Sequence, residues 1–295
     1  MSEITKKKPS RTAVGTTLFR SIANKEYNNG KFGSDYLAEL FLPFLLRLII
    51  KSKRGRSHIK QKFPPGMYEY LIARTQYFDE LFKEALNNEI PQIILLGAGY
   101  DTRAYRFSEL SINTRIIEID LDSTQTNKIA CLKKAKIKIP ENIEYISADF
   151  NKDNLEAVLA KTKFNTHEKT LFLMEGLTYY LEPESIDNLF ESMKDISSKE
   201  SLTAFDYLVR IQPDKIDKLY GVKDSRDFMI RNIPQERNKF LIEEGKTEIF
   251  LKQRGFDVLE HLNNPEIEKR FLFKEDQSLL GHIIATFGFV LARSL

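Results

Sequence analysis

At 295 residues, with 42% hydrophobic and 29% charged side chains, the chain can bury a substantial core, which excludes a disordered or fibrous protein. Its 45 lysines and arginines against 42 acids leave a formal charge of +3, too balanced for general nucleic-acid binding through phosphates. A single cysteine, Cys131, excludes an internal disulfide framework and fits a reducing compartment, so a cytoplasmic location is expected.

The opening "MSEITKKKPS" has a basic run with no apolar stretch behind it, so no secretory signal is read. Residues 1–90 read as helical. Within them "YLAELFLPFLLRLII", Tyr36 to Ile50, approaches membrane-like hydrophobicity, but Glu39, Pro43 and Arg47 interrupt it and it falls short of the roughly 20 residues that span a bilayer. No transmembrane segment is expected, and an amphipathic helix capping a pocket is preferred over interfacial membrane contact. The basic run "KSKRGRSHIKQK", Lys51 to Lys62, contains no acid and reads as a solvated loop between two helices, ahead of an anionic-ligand or membrane-surface patch. "MYEYLIARTQYFDELFKEAL" then puts Leu71, Phe78, Leu81, Phe82 and Ala85 on one helical face.

Beyond residue 90, β-branched runs alternate with helical patterns, the signature of a parallel sheet covered on both faces. Strands are predicted at Gln92–Leu96, Arg115–Ile119, Ile143–Ser147, Thr170–Met174, Leu202–Asp206, Phe256–His261 and His282–Leu291. Helices are predicted at Asp122–Ala135, where Cys131 is a small core residue, and at Lys152–Thr162 and Pro183–Ile196. The last two strands show no clear crossover helix, so an antiparallel pair at the sheet edge joins them most simply. The fold class is α/β, Rossmann-like: about seven strands, mostly parallel, with an antiparallel edge strand. Residues 1–90 form a helical lid or substrate segment, and residues 91–295 a cofactor-binding domain with a helical insertion after strand five. That insertion, residues 208–245, has the length of a lid or binding loop.

The site is read from "IILLGAGYDTRAYRF". An apolar strand running into Gly97-Ala98-Gly99 lets the backbone approach a ligand at the carboxyl end of a central strand. The second strand ends in "IIEIDLD", where an acid can accept both hydroxyls of a ribose; Glu118 and Asp120 share a face, so spacing does not choose between them. The third ends in "SADF", offering Asp149 to an adenine amine and Phe150 to the ring. The fourth ends in "FLMEGLTYYL", placing Glu175 beside the same cleft. A dinucleotide turn would have a third glycine where Thr102 stands, and Asp101 before it would repel a pyrophosphate. S-adenosylmethionine has adenine and ribose without phosphate, and its cationic sulfonium and ammonium tolerate Asp101 and Glu175. Its methionine carboxylate calls for a guanidinium, and Arg74 on the preceding helix is the candidate.

On "ARTQYFDELF", "LLGAGYDTRAYRF", "IIEIDLD", "SADF" and "MEGLTYYL", in that order, the chain resembles the leucine carboxyl methyltransferase family, which includes bacterial S-adenosylmethionine-dependent methyltransferases and polyketide O-methyltransferases. "SRTAVGTTLFRSIAN" and "FGSDYLAELFL" extend the resemblance to the N-terminal segment. It implies a class I methyltransferase fold, with Arg74 on the methionine carboxylate, Gly97 and Gly99 as the close-approach turn and Asp120, rather than Glu118, on the ribose. It further implies Asp149 and Phe150 at the adenine and Glu175 near the methionine amino group.

The activity expected is O-methyl transfer to a carboxylate or hydroxyl of a small molecule, or to a peptide carboxyl group. Tyr179, Tyr180, Asp206 and Tyr207 lie at strand ends on the acceptor side, with Tyr179 and Asp206 as weak catalytic candidates. None of His58, His167, His261 and His282 stands out as a base, no two have metal-ligand spacing, and no metal is expected. The missing base favours a carboxylate, which is already a nucleophile. Two alternatives remain: an NAD-dependent oxidoreductase, which lacks here both the third glycine and a YxxxK pair, and a cofactor-binding protein without transferase activity.

Overall fold

A computed structural model of the chain describes residues 11–232 and 238–295. Four helices precede the sheet: α1 (Arg11–Tyr27), α2 (Phe44–Lys51), α3 (Lys53–Gln61) and α4 (Met67–Asn87). There follow β1 (Gln92–Leu96), the single turn α5 (Arg103–Arg106), β2 (Arg115–Asp120), α6 (Asp122–Lys134), β3 (Ile143–Ser147), α7 (Leu155–Leu159), β4 (Thr170–Met174) and α8 (Pro183–Ile196). The chain closes with β5 (Leu202–Arg210), α9 (Val222–Asn232), β6 (Ile242–Glu243), α10 (Thr247–Lys252), β7 (Phe256–Leu262), α11 (Asn264–Phe271) and β8 (Phe287–Ser294).

The strands form one sheet in the order β3-β2-β1-β4-β5-β8-β7, with the two-residue β6 beside the far end of β5. The pairs from β3 through β5 are parallel, and β8 runs antiparallel to both β5 and β7. The expected antiparallel edge is therefore made by β8, slotted between β5 and the outermost β7. Strands β1 and β4 are buried at every residue, as continuous apolar runs covered on both faces should be. Their order reverses between β1 and β4, and the site opens at the carboxyl ends of these central strands.

Strand alternation divides the core in two. Ile93, Leu95, Leu171, Leu173 and Ala204 face α1, α4 and α11, whereas Ile94, Leu96, Phe172, Met174 and Phe205 face α7, α8 and α10. The N-terminal helices are thus built onto one face of the sheet. On the other face Phe190 of α8 meets Phe205, Phe250 and Phe256 edge-on, with centroids 5.6, 5.6 and 5.4 Å away.

Several boundaries differ from the sequence reading. The basic Lys51–Lys62 run is helical rather than a loop: Ser52 caps α3 by accepting from Gly55 N at 3.0 Å. The helix after the third strand covers only Leu155–Leu159, starting where Asn154 accepts from Ala157 N. Strand β5 continues to Arg210 because β8 and β6 supply partners beyond Asp206. The final strand begins at Phe287, five residues after the expected His282, and runs to Ser294. The last connection does contain a helix, α11, begun by a capping box between Asn263 and Glu266 with Pro265 in the first turn. Among the described residues no helix is long and apolar enough to cross a membrane.

Phe190→Ala is expected to cost about 3–5 kcal/mol, because its rigid aromatic neighbours cannot collapse into the space left. Urea unfolding should show the loss as a lower midpoint at unchanged slope.

Candidate functional site

A cavity of about 750 Å³ opens at the carboxyl ends of β1, β2 and β4. Its floor is the turn after β1. Gly97 and Gly99 hold φ of +67° and +49°, a left-handed backbone that side chains resist, and a Cβ on Gly97 would meet Leu177 at 3.0 Å. Asp120 braces the turn: Oδ2 accepts from Gly99 N and Oδ1 from Leu121 N, each at 2.7 Å. Burial raises the Asp120 carboxyl, and these two amides oppose the rise. Glu118, the rival acid, is sealed under the sheet against the Lys128 ammonium. Burial, only partly offset by Lys128, lifts its carboxyl to about 7. Asp149 and Phe150 line the cavity beside Asp120, with Asp149 also paired to Lys152 at 2.8 Å.

Glu175 is held between two guanidiniums. Its Oε1 accepts from Arg74 Nε at 3.1 Å and its Oε2 from Arg103 Nη1 at 2.6 Å. Arg74 reaches in from α4, where Tyr70 one turn earlier shares its face. Its Nη1 approaches Tyr179 OH at 3.1 Å and Asp206 Oδ2 at 3.3 Å. Asp206 in turn accepts from Tyr70 OH, from Tyr179 OH at 3.3 Å and from Gly176 N at 2.6 Å. Gly176 holds a left-handed φ of +68°, which favours glycine, and a Cβ there would sit 2.8 Å from Arg74 Nη1. Among the described residues Arg74 Nη2 has no hydrogen-bond partner, and Arg74 lines the cavity, so Nη2 is left as an uncommitted donor.

Arg103 extends the network. It donates through Nη1 to Asp101, through Nε to Asp79 Oδ1 at 2.8 Å and through its backbone N to Asp101 Oδ1 at 2.7 Å. Arg106 closes on Asp79 from the next turn at 2.7 and 2.8 Å. Asp101 therefore reaches the cavity wall with its charge matched by Arg103; burial alone would raise its carboxyl, but Arg103 and Lys128 hold it below its ordinary value.

The acceptor-side candidates separate. Tyr179 and Tyr180 line the cavity. Asp206 does not; it is fully buried behind Arg74 and Tyr179. Tyr207 is corrected outright: alternation turns it to the opposite face, where its hydroxyl meets His261 Nε2 at 2.7 Å and Thr247 Oγ1 at 2.8 Å. The Tyr36–Ile50 segment does not cap this cavity either; α2 lies outside it.

Sequence reading missed Arg103, Asp79, Arg20 and Asp35. Arg20 of α1 lines the cavity, pairs with Asp35 at 2.9 Å and donates to Tyr100 O at 2.9 Å, pinning the N-terminal helix to the glycine turn. The signal was the density of arginine in "DTRAYRF", buried charges that must find partners. Phe63, Phe228, Met229 and Phe287 supply an apolar wall drawn from three distant segments. Among the described residues no cluster of His, Cys, Asp and Glu could hold a metal ion.

Comparison with known proteins places the chain in context. Residues 13–194 match the family model described as leucine carboxyl methyltransferase. A Mycolicibacterium smegmatis relative, named as a candidate S-adenosyl-L-methionine-dependent methyltransferase, is 30% identical over 213 residues, 71% of this chain and 68% of its own. A Mycobacterium avium relative with the same kind of name is 28% identical over 199 residues, 64% of this chain and 63% of its own length, somewhat under two thirds. Among solved structures, a candidate methyltransferase from Thermobifida fusca superposes with a TM-score of 0.59 at 16% identity, covering 97% of this chain and 95% of that one. A DUF574 family protein from Streptomyces avermitilis gives 0.60 at 15% identity, covering 95% and 97%.

Burial by itself would raise the Asp79 carboxyl, but Arg106 and Arg103 override it and hold it at about 2, below its unfolded value of 3.8. A depressed acid contributes stability above its unfolded value and loses it as pH falls through the folded one. Between pH of about 4 and 2 the protein should lose about 2 kcal/mol through this group, a loss that Asp79→Asn abolishes while lowering stability at neutral pH. Urea titrations of both proteins across that range provide the check.

Proposed function

Since this chain belongs to the leucine carboxyl methyltransferase family, we propose that it is an S-adenosylmethionine-dependent O-methyltransferase whose acceptor is a carboxylate. The observation that carries this reading is one cavity lined by a glycine turn, by Asp120 and by Arg74, whose Nη2 is uncommitted among the described residues.

The residues fit the cofactor. Each Asp120 oxygen accepts one amide and retains capacity for a ribose hydroxyl. Arg74 Nη2 fits a ligand carboxylate, and Glu175, neutralised in part by two arginines, fits an ammonium. Asp149 and Phe150 would border the adenine. A pyrophosphate fits poorly: α5 is a single turn, too short to aim a strong helix dipole, and Asp101 stands at its start.

When bound, S-adenosylmethionine supplies an electrophilic methyl group on a sulfonium. Transfer would be an in-line displacement, the acceptor oxygen bonding the methyl carbon as the carbon–sulfur pair stays with sulfur, and it would need acceptor, methyl and sulfur held in line. The chain's part is alignment and exclusion of water, for which Phe63, Met67, Phe228 and Phe287 provide the wall. An acceptor carboxylate is already ionised. A phenol would need a base, and among the described residues no histidine lines the cavity. Tyr179 cannot serve at neutral pH, because burial and then the Asp206 charge push its hydroxyl well above its ordinary value. We assign Tyr179 and Asp206 to positioning Arg74, and the N-terminal helices with the 208–245 insertion to covering the acceptor.

Calorimetric titration with S-adenosylmethionine should show saturable binding, with no heat from NAD, and Asp120→Ala should weaken it by about tenfold or more through lost charged hydrogen bonds. Binding of NAD in place of S-adenosylmethionine would refute the reading. With methyl-labelled cofactor and an acceptor mixture, label released as methanol by mild alkali marks an ester and supports a carboxylate acceptor; alkali-stable label would show ether formation instead.

A further inference from the structure

The corner between α2 and α3 plays no part in the proposed transfer. Phe44, Leu45, Leu48 and Ile49 expose 71%, 70%, 44% and 43% of their surface. At about 100° per residue they share an arc of about 140° on α2, opposite the Leu46 and Ile50 side that meets the core. The helix is apolar on both faces while only one is buried. Arg47, the charge in its middle, gives no cover, because it folds back to donate to Leu40 O and, at 2.8 Å, to Leu42 O.

Lys51, Lys53 and Arg54 follow directly and are exposed. Acids nearby are already engaged: Glu26 by Lys60 at 2.9 Å and Arg56 at 3.5 Å, and Glu39 by Lys25 at 2.5 Å. Among the described residues none pairs with Lys51, Lys53 or Arg54. The corner is also rigid. A Cβ on Gly55 would lie 2.0 Å from Ile49 O, so α3 packs directly on the end of α2, and Arg56 Nη1 caps Ile50 O and Lys51 O at 3.0 and 3.1 Å.

We propose that this corner docks on an anionic lipid bilayer, with the four apolar side chains entering the interface and Lys51, Lys53 and Arg54 meeting headgroup phosphates. Fixed apolar projections beside unneutralised cations are complementary to such a surface. A second copy of the chain is a poorer occupant, because a two-fold contact would set these cations against themselves. The contact is peripheral, since no described helix can span the bilayer.

The test is co-sedimentation with vesicles of phosphatidylcholine alone and of phosphatidylcholine mixed with phosphatidylglycerol. The wild-type protein should pellet with the mixed vesicles and not the neutral ones. Phe44→Ser with Leu48→Ser, and separately Lys53→Glu with Arg54→Glu, should each weaken pelleting by about tenfold or more. All four side chains are exposed, and an unchanged thermal midpoint confirms folding. A wild-type protein that stays in solution, or either double variant pelleting like wild type, overturns the proposal. So does light scattering that finds a wild-type dimer made monomeric by Phe44→Ser with Leu48→Ser, which would give the face to a second copy.

Discussion

Glu175 stands between Arg74 and Arg103, and around that contact the rest of the site is organised. Arg74, Arg103 and Arg106 with Asp79, Asp101 and Asp206 are largely removed from water at one end of the sheet, and the half-buried Glu175 joins them at the cavity. Such charges are tolerable only when each finds a partner, and a network missing one member leaves the others buried and unmatched. The arrangement fixes α4 against β4 and β5 through Arg74, and against the turn after β1 through Asp79 and Arg103. The N-terminal helices are thereby placed over the carboxyl ends of the strands by electrostatics as well as packing.

A consequence is preorganisation. Arg74 donates to four protein groups through Nε and Nη1, so its remaining amino group is held at one place rather than searching for it. Glu175 has each oxygen engaged, and Asp120 is fixed by two backbone amides. These donors and acceptors are oriented by the protein itself, with little side-chain entropy left to lose.

Much of this was legible in the sequence because the relevant signals are local. Continuous apolar runs marked β1 and β4, and Pro183 after an acid marked the start of α8. Polar residues at the strand tips located Asp149 and Glu175, while the choice of Asp120 over Glu118 came from the family resemblance; all three line the cavity. What sequence could not show was pairing across distance. Whether Asp101 faces a ligand or an arginine depends on a side chain two residues away adopting a buried rotamer. The apolar wall of the cavity comes from Phe63, Phe228 and Phe287, far apart in the chain and joined only by the fold. Tyr207 failed for a simpler reason: its neighbour Asp206 took the site-facing side of β5. The exposed face of α2 was visible as hydrophobicity, yet only the fold shows which half of it the core leaves uncovered.

The most direct test is a crystal structure of the protein with S-adenosylhomocysteine. The account predicts the ligand carboxylate on Arg74 Nη2, the ribose hydroxyls on Asp120, and Glu175 bridged by Arg74 and Arg103. An amino-acid end seated away from Arg74, or a network that must break apart to admit the ligand, would contradict it.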